Sequence, residues 1–214
     1  MTKSQAVLTG TIGLLGAVVT GTGEFLLHFD ALARFSGEYQ FLAGISADRT
    51  TLGHFIGVLG APLYLFGCWH IYLMLRPASA LWSMVAFLIM AYGFIIGVVW
   101  IGSRASISAL INMPLTPEIE QMIAFYDLRY ESLLQLVRFA VLMLSVIFIW
   151  LTLTGRSHYP KWMAILNPIL LIIVSFVVYA IAPNLGKYLM PIALNVAFAI
   201  FFIASIRIAK QKGV

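Results

Sequence analysis

The chain reads as an all-α integral membrane bundle of six transmembrane helices, with both termini in the cytoplasm. Hydrophobic residues make up 62% of its 214 positions and charged residues only 10%, whereas a soluble domain carries roughly a quarter charged residues to face water. Six apolar stretches are each long enough to cross about 30 Å of hydrocarbon at about 1.5 Å per residue. Seven inner cations against five outer ones give a modest positive-inside bias.

The six spans fall near 5–28, 51–75, 79–103, 132–154, 162–182 and 188–208, and together form a single transmembrane domain over 1–214. The first follows Lys3 like a signal sequence. No small-residue cleavage site closes it, and Glu24 and His28 follow instead, so it is read as a retained helix. Arg76-Pro77, the stretch 155–161 and Pro183-Asn184 mark short turns between spans 2 and 3, 4 and 5, and 5 and 6. Connections 1 and 3 are longer. In the third, Thr116-Pro117-Glu118 combines an N-cap, a proline at the first helical position and an acid suited to the helix dipole. Ile119, Met122 and Ile123 then predict a short amphipathic outer helix before span 4, either separate or running into it. Span 3 ends at 103 or continues through Ser108 to Ile111.

With the N-terminus inside, Lys3, Arg76, Arg156, Lys161, Arg207, Lys210 and Lys212 lie on the inner side, without an acid among them. The outer side holds Arg34, Arg49, Arg104, Arg129 and Lys187, mixed with Asp30, Glu38, Asp48, Glu118, Glu120, Asp127 and Glu131. Trp69, Tyr72, Trp82, Trp150, Tyr159 and Trp162 form an inner aromatic belt. His70 and His158 are read as interfacial on the same side, and the lone Cys68 as a small buried residue. The net charge of +5 reflects this lipid-facing distribution, and no basic stripe marks a nucleic-acid partner. Membrane lipids are the expected neighbours, a homodimer is allowed, and the localisation is a bacterial cytoplasmic (inner) membrane, multi-pass.

Helices in lipid associate through close packing, because lipid tails already satisfy apolar side chains. Gly10, Gly13, Ala17 and Gly21 share one face of span 1 with Glu24 and His28, while Gly53/Gly57 and Gly93/Gly97 form small-residue pairs in spans 2 and 3. Spans 1, 2 and 3 are therefore expected to approach closely.

A charge at mid-membrane costs about 2.5–3.5 kcal/mol on insertion scales, so intramembrane polar residues single themselves out. Glu24, His28, His54, Arg104, Arg138 and Asn195 all fall in the outer half, with Tyr179 near them. Asp127, Glu131, Gln135 and Arg138 form one polar stripe entering span 4. A polar pocket open to the outer side follows as the expected site, with these six residues binding a small or lipidic ligand. Arginine forks suit phosphate or carboxylate. Alternatives stay open: Glu24 pairing with Arg138 or Arg104 to lock the bundle; Glu24, His28 and His54 holding a metal in a membrane-embedded hydrolase; His28 and His54 ligating haem in a redox protein; or an accessory subunit. Whether the chain is an enzyme, and which cofactor it takes, is left open. Neither a Gly-rich phosphate loop nor a nucleophile elbow occurs.

The stretches Gly21-Thr-Gly-Glu-Phe-Leu-Leu-His-Phe-Asp30, Leu52-Gly-His-Phe-Ile-Gly57, Ala61-Pro-Leu-Tyr64 and Trp69-His-Ile-Tyr72 resemble an uncharacterised bacterial family of small polytopic membrane proteins. The resemblance covers mainly the first two spans. It implies a bacterial membrane location and carries over no functional residue.

Overall fold

The computed structural model describes residues 2–34 and 39–212, of which the Lys212 side chain is not described; Glu38 lies outside the described residues. Among the described residues, eight α-helices carry the fold: α1 (Lys3–His28), α2 (Ala47–Gly60), α3 (Leu63–Leu75), α4 (Ala80–Ile111), α5 (Pro117–Leu153), α6 (Pro168–Ile181), α7 (Pro183–Leu189) and α8 (Ala193–Lys212). Short 3₁₀ turns lie at Gln40–Leu42, Lys161–Leu166 and Met190–Ile192, and the described residues contain no strand. Among the described residues, five helical segments are long and apolar enough to cross a membrane: α1, α2 with α3, α4, α5, and α7 with α8. The architecture is that of a membrane helical bundle.

Three elements depart from the sequence expectation, and a fourth settles between two expected forms. Span 2 is kinked between α2 and α3, because Pro62 lacks a backbone N–H; Tyr64 and Leu65 donate instead to the carbonyls of Ala61 and Pro62, three residues back. Of the two forms expected for the third connection, the amphipathic segment running into span 4 is the one found. Thr116 caps α5, its hydroxyl accepting from Ile119 N at 3.4 Å, and with no breaker after Pro117 the helix runs on for 37 residues. Span 5 starts late: Asn167 is extended and caps Leu170, so α6 has only 14 residues, about 21 Å of rise against the roughly 30 Å of a hydrocarbon core. The turn expected at Pro183-Asn184 is instead the start of α7. Ala182 alone forms the corner, and Gly186 lets α7 lie directly on the Tyr179 backbone of α6. Tyr179 is thereby committed to this hairpin. The longer alternative for span 3 is the one found, since α4 ends at Ile111.

Glycine sets the tight half of the bundle. A Cβ on Gly13 would fall 2.6 Å from the Gly67 Cα of α3, and one on Gly23 would fall 2.6 Å from the Gly57 Cα of α2. Gly10 lies against Ile206 and His70, and Gly21 against Asn195. Span 1 thus packs on span 2 and on α8, whereas α4 packs mainly on α5 and Gly93 meets Ala140 there. Of the expected approach of spans 1, 2 and 3, span 1 packs on span 2 and span 2 packs on α4, with Gly57 against Ile101, while α1 and α4 scarcely touch. The small stripe of α1 faces α2, α3 and α8, and α8 returns next to α1 in space.

The inner-belt reading also needs correction. Tyr72 and Tyr159 are buried, while Trp69, Trp82, Trp150 and Trp162 stay exposed on the perimeter. His70 is fully buried rather than interfacial. Its Nδ1 lies 2.8 Å from the Ala6 carbonyl and its Nε2 2.6 Å from Ser205 Oγ, which also bonds the Tyr159 hydroxyl at 2.9 Å. A polar group in the core is tolerated when its bonds are made, and this network ties α1, α3, α8 and the connection after α5. Cys68 is buried, as expected.

Candidate binding site

At the end of the bundle where α1 stops, the backbone is closed by side chains from elsewhere. Arg49 donates from Nε to Leu26 O (2.8 Å) and from Nη2 to Phe29 O (2.6 Å), satisfying terminal helix carbonyls with a cation. Asn112, just past α4, accepts from Gly44 N at 2.7 Å and donates to Leu42 O at 3.1 Å. The first connection is thereby pinned across the end of the bundle. Leu42 is buried and Phe41 reaches His28, with ring centroids 5.9 Å apart. Tyr39 donates its hydroxyl to Asp127 on α5; burial, and then this neighbouring carboxylate, push the Tyr39 phenol well up from its ordinary range.

Beneath this cover, Glu24 and His28 stand one turn apart on α1 and both are buried. Glu24 Oε2 accepts from Asn195 Nδ2 at 2.5 Å, and Asn195 Oδ1 accepts from the Tyr64 hydroxyl at 2.7 Å. The carboxylate therefore bonds an amide on α8. Among the described residues, neither Arg104 nor Arg138 forms an ion pair with it, and the locking pair weighed from sequence is replaced by this Tyr64–Asn195–Glu24 chain.

Arg104 is buried. Its guanidinium carbon lies 3.7 Å from the Trp100 ring centroid and 5.0 Å from that of Tyr130, and the two rings stack at 5.4 Å. One Nη of Arg104 donates to His28 Nδ1. Arginine has only donors, so His28 Nδ1 is the acceptor and the ring proton of the neutral imidazole sits on Nε2. That Nε2–H has no hydrogen-bond partner, although the Pro191 carbonyl approaches the ring. Arg104 Nε and Trp100 Nε1 are likewise buried without a partner. Three unpaired donors thus gather within one cluster, each costing about 1–3 kcal/mol if left so.

These residues form one wall of a cleft of about 500 Å³. Its other walls are Leu134, Val137, Arg138 and Val141 of α5, Ile169, Ile172, Ile173 and Phe176 of α6, and the segment around Pro191. Arg138 on one lip and Ile173 and Phe176 on the other are exposed, so the cleft opens sideways between α5 and α6. Glu24, Trp100, Val137, Val141 and Leu194 also line a narrow cavity of about 40 Å³ that leads inward to Tyr64 and Asn195.

The structure therefore brings Glu24, His28, Arg104, Arg138 and Asn195 to one place and leaves His54 out. His54 is half-buried on α2, next to Gly102 of α4. Gly102 and Arg104 are two residues apart on a helix and so face nearly opposite ways. The metal set and the haem pair weighed from sequence both needed His54 beside His28. Among the described residues, no group of three His, Cys, Asp or Glu side chains lies close enough to hold a metal ion.

A family model described as "Family of unknown function (DUF6796)" matches residues 1–212. The chain belongs to this family. No curated protein and no solved structure matches it. What this DUF6796 chain adds to the sequence reading is aromatic and aliphatic. Trp100 was legible in principle, since it precedes Arg104 by four residues and so shares its face. Tyr64 stood within a quoted motif without a role. Tyr130 and Phe41 come from distant segments and gave no local signal.

Proposed function

We propose that this protein binds an amphiphilic ligand with an acceptor-rich head group, a phosphate or carboxylate, in the cleft between α5 and α6. One observation carries the reading: His28, Arg104 and the exposed Arg138 stand on the wall and lip of a cleft whose remaining walls are mostly aliphatic. An anionic head would bond the exposed Arg138 guanidinium, and a chain would lie along the isoleucines of α6. The sideways opening favours entry from the lipid phase over entry from water. Binding of this kind serves storage, sensing or transport of the ligand.

The cation distribution supports an N-in, C-in orientation in a bacterial cytoplasmic membrane. The helix ends place Lys3, Arg76, Arg156, Lys161 and Arg207 together at the end opposite the cleft's polar wall. The cleft then faces the outer leaflet.

The test is lipid binding by the purified full chain, read by native mass spectrometry after delipidation and titration with defined lipids. Arg138 is exposed on the lip, so Arg138→Gln leaves packing intact. It is expected to weaken binding about tenfold, the scale of one charge-assisted hydrogen bond. Unaltered affinity in this variant would reject the role of the cleft.

A further inference from the structure

We infer that this protein binds an anionic phospholipid at a second site, a groove between the Lys161–Leu166 turn and α8, with the lipid phosphate at Arg207. The groove lies at the end of the bundle opposite the cleft's polar wall, and the inference does not depend on what the cleft binds.

The groove exists because span 5 starts late. Asn167 is extended, α6 begins only at Pro168, and the 3₁₀ turn before it packs mainly on α5 rather than on α8. One face of α8 is thereby left uncovered. Ile200, Ile203, Arg207 and Gln211 recur at spacings of three and four, so they share that face, and all four are exposed. With Trp162 and Leu166 of the turn opposite, they line a groove of about 520 Å³. The other face of α8 is committed to the bundle, where Phe198, Phe202 and Ser205 are buried.

Length and polarity fit one lipid leaflet. From Ile200 to Gln211 the helix rises about 16 Å, close to half of a hydrocarbon core about 30 Å thick. Along that rise the lining changes from isoleucine to Arg207 and Gln211, as a lipid changes from chain to head group. Trp162 stands at the same end, the depth that an indole favours in a bilayer.

Charge selects the lipid. Among the described residues Arg207 makes no hydrogen bond or ion pair, and Lys210 follows it three residues on. The described Asp and Glu residues lie toward the other end, around the close of α1, near the start of α2 and in the first half of α5. A phosphate in the groove therefore meets cations and no competing carboxylate. The ammonium of a zwitterionic head group would be set among like charges. A second copy of this chain would bring its own basic end to the same place.

The experiment titrates the delipidated full chain with phosphatidylglycerol and with phosphatidylcholine, following tryptophan quenching by brominated forms of both. Brominated phosphatidylglycerol is expected to quench a component that Trp162→Phe lacks, at about fivefold lower lipid than brominated phosphatidylcholine. Arg207→Gln should remove that preference and Arg207→Lys should keep most of it. Arg76→Gln, which removes a cation from the same end outside the groove, should leave it unchanged. Arg138→Gln should also leave the Trp162 signal intact, so failure of the cleft and failure of the groove are distinguishable. Equal effects of Arg207→Gln and Arg76→Gln would overturn the site, leaving only the general attraction of a basic surface for anionic lipid. Equal quenching of Trp162 by the two lipids would overturn it too. So would a dimer that survives delipidation and is undone by Ile203→Glu, since a second copy would then fill the groove.

Discussion

On one side of the bundle, α1 meets α2 and α3 glycine on glycine, close enough that a single methyl group has no room at Gly13 or Gly23. On the other, α5 and α6 diverge, and the space between them is lined by isoleucine, valine, phenylalanine and the Arg138 lip. Both sides are built from strongly apolar helices. The difference teaches that in lipid, where burying an apolar side chain brings little gain, small residues decide which helices close. Large side chains on facing helices keep a gap that lipid or ligand can fill. The tight half makes polar bonds at His70 and Ser205, although Thr20 Oγ1 and His54 Nδ1 there stay unpaired like the donors of His28, Trp100 and Arg104.

The sharpest way to break this contrast is Gly23→Leu. The side chain would run into the Gly57 backbone, which cannot give way without parting α1 from α2. A loss of about 3 kcal/mol or more is expected, seen as a lowered unfolding midpoint in detergent and loss of a monodisperse species. A midpoint matching the parent protein would show that the glycine contact is not what closes this half.

His70→Phe keeps a ring of similar size but removes the bonds to Ala6 and Ser205. It should cost about 1–3 kcal/mol while leaving lipid affinity at the cleft unchanged. Coupled loss of both would mean the two halves are not independent.

Gly97→Ala is the counterpart in the open half. Nothing lies within 4 Å of the added Cβ, which points into the narrow inner cavity. Stability should stay within about 0.5 kcal/mol of the parent. The same small-residue pattern therefore predicts opposite outcomes in α1 and α4.

Asp30→Asn tests the smallest effect. The Arg34 side chain donates to Asp30 at 2.7 Å and holds its carboxyl below the ordinary range. A lowered folded pKa contributes stability above the unfolded value and loses it as pH falls through the folded one. The variant should be slightly less stable at neutral pH; the difference should begin to shrink as pH falls to about 4 and vanish below the lowered folded pKa. A difference that persists in acid would assign the effect to packing.

Much of the helical plan is legible in the chain, and so is one end of the site. Apolar length marked the long segments, Thr116-Pro117 marked the start of α5, and intramembrane cost singled out Glu24, Arg104, Arg138 and Asn195 as residues to be brought together. Each of these follows from a local quantity: run length, capping chemistry or the price of a charge in lipid. The reading failed where a residue's role depended on which helix came to lie beside it. His70 and Tyr159 looked interfacial by position along their segments, yet α8 lies against them and supplies Ser205.

The sequence alone determined that this is a helical membrane protein with polar chemistry at one end, because hydropathy and spacing act within a single segment. Only the tertiary structure decided that His54 stands apart from His28, that Asn195 rather than an arginine bonds Glu24, and that α5 and α6 leave a cleft. Those outcomes depend on how closely backbones approach across helices far apart in the chain, and that is set by pairs of small residues which no single segment reveals.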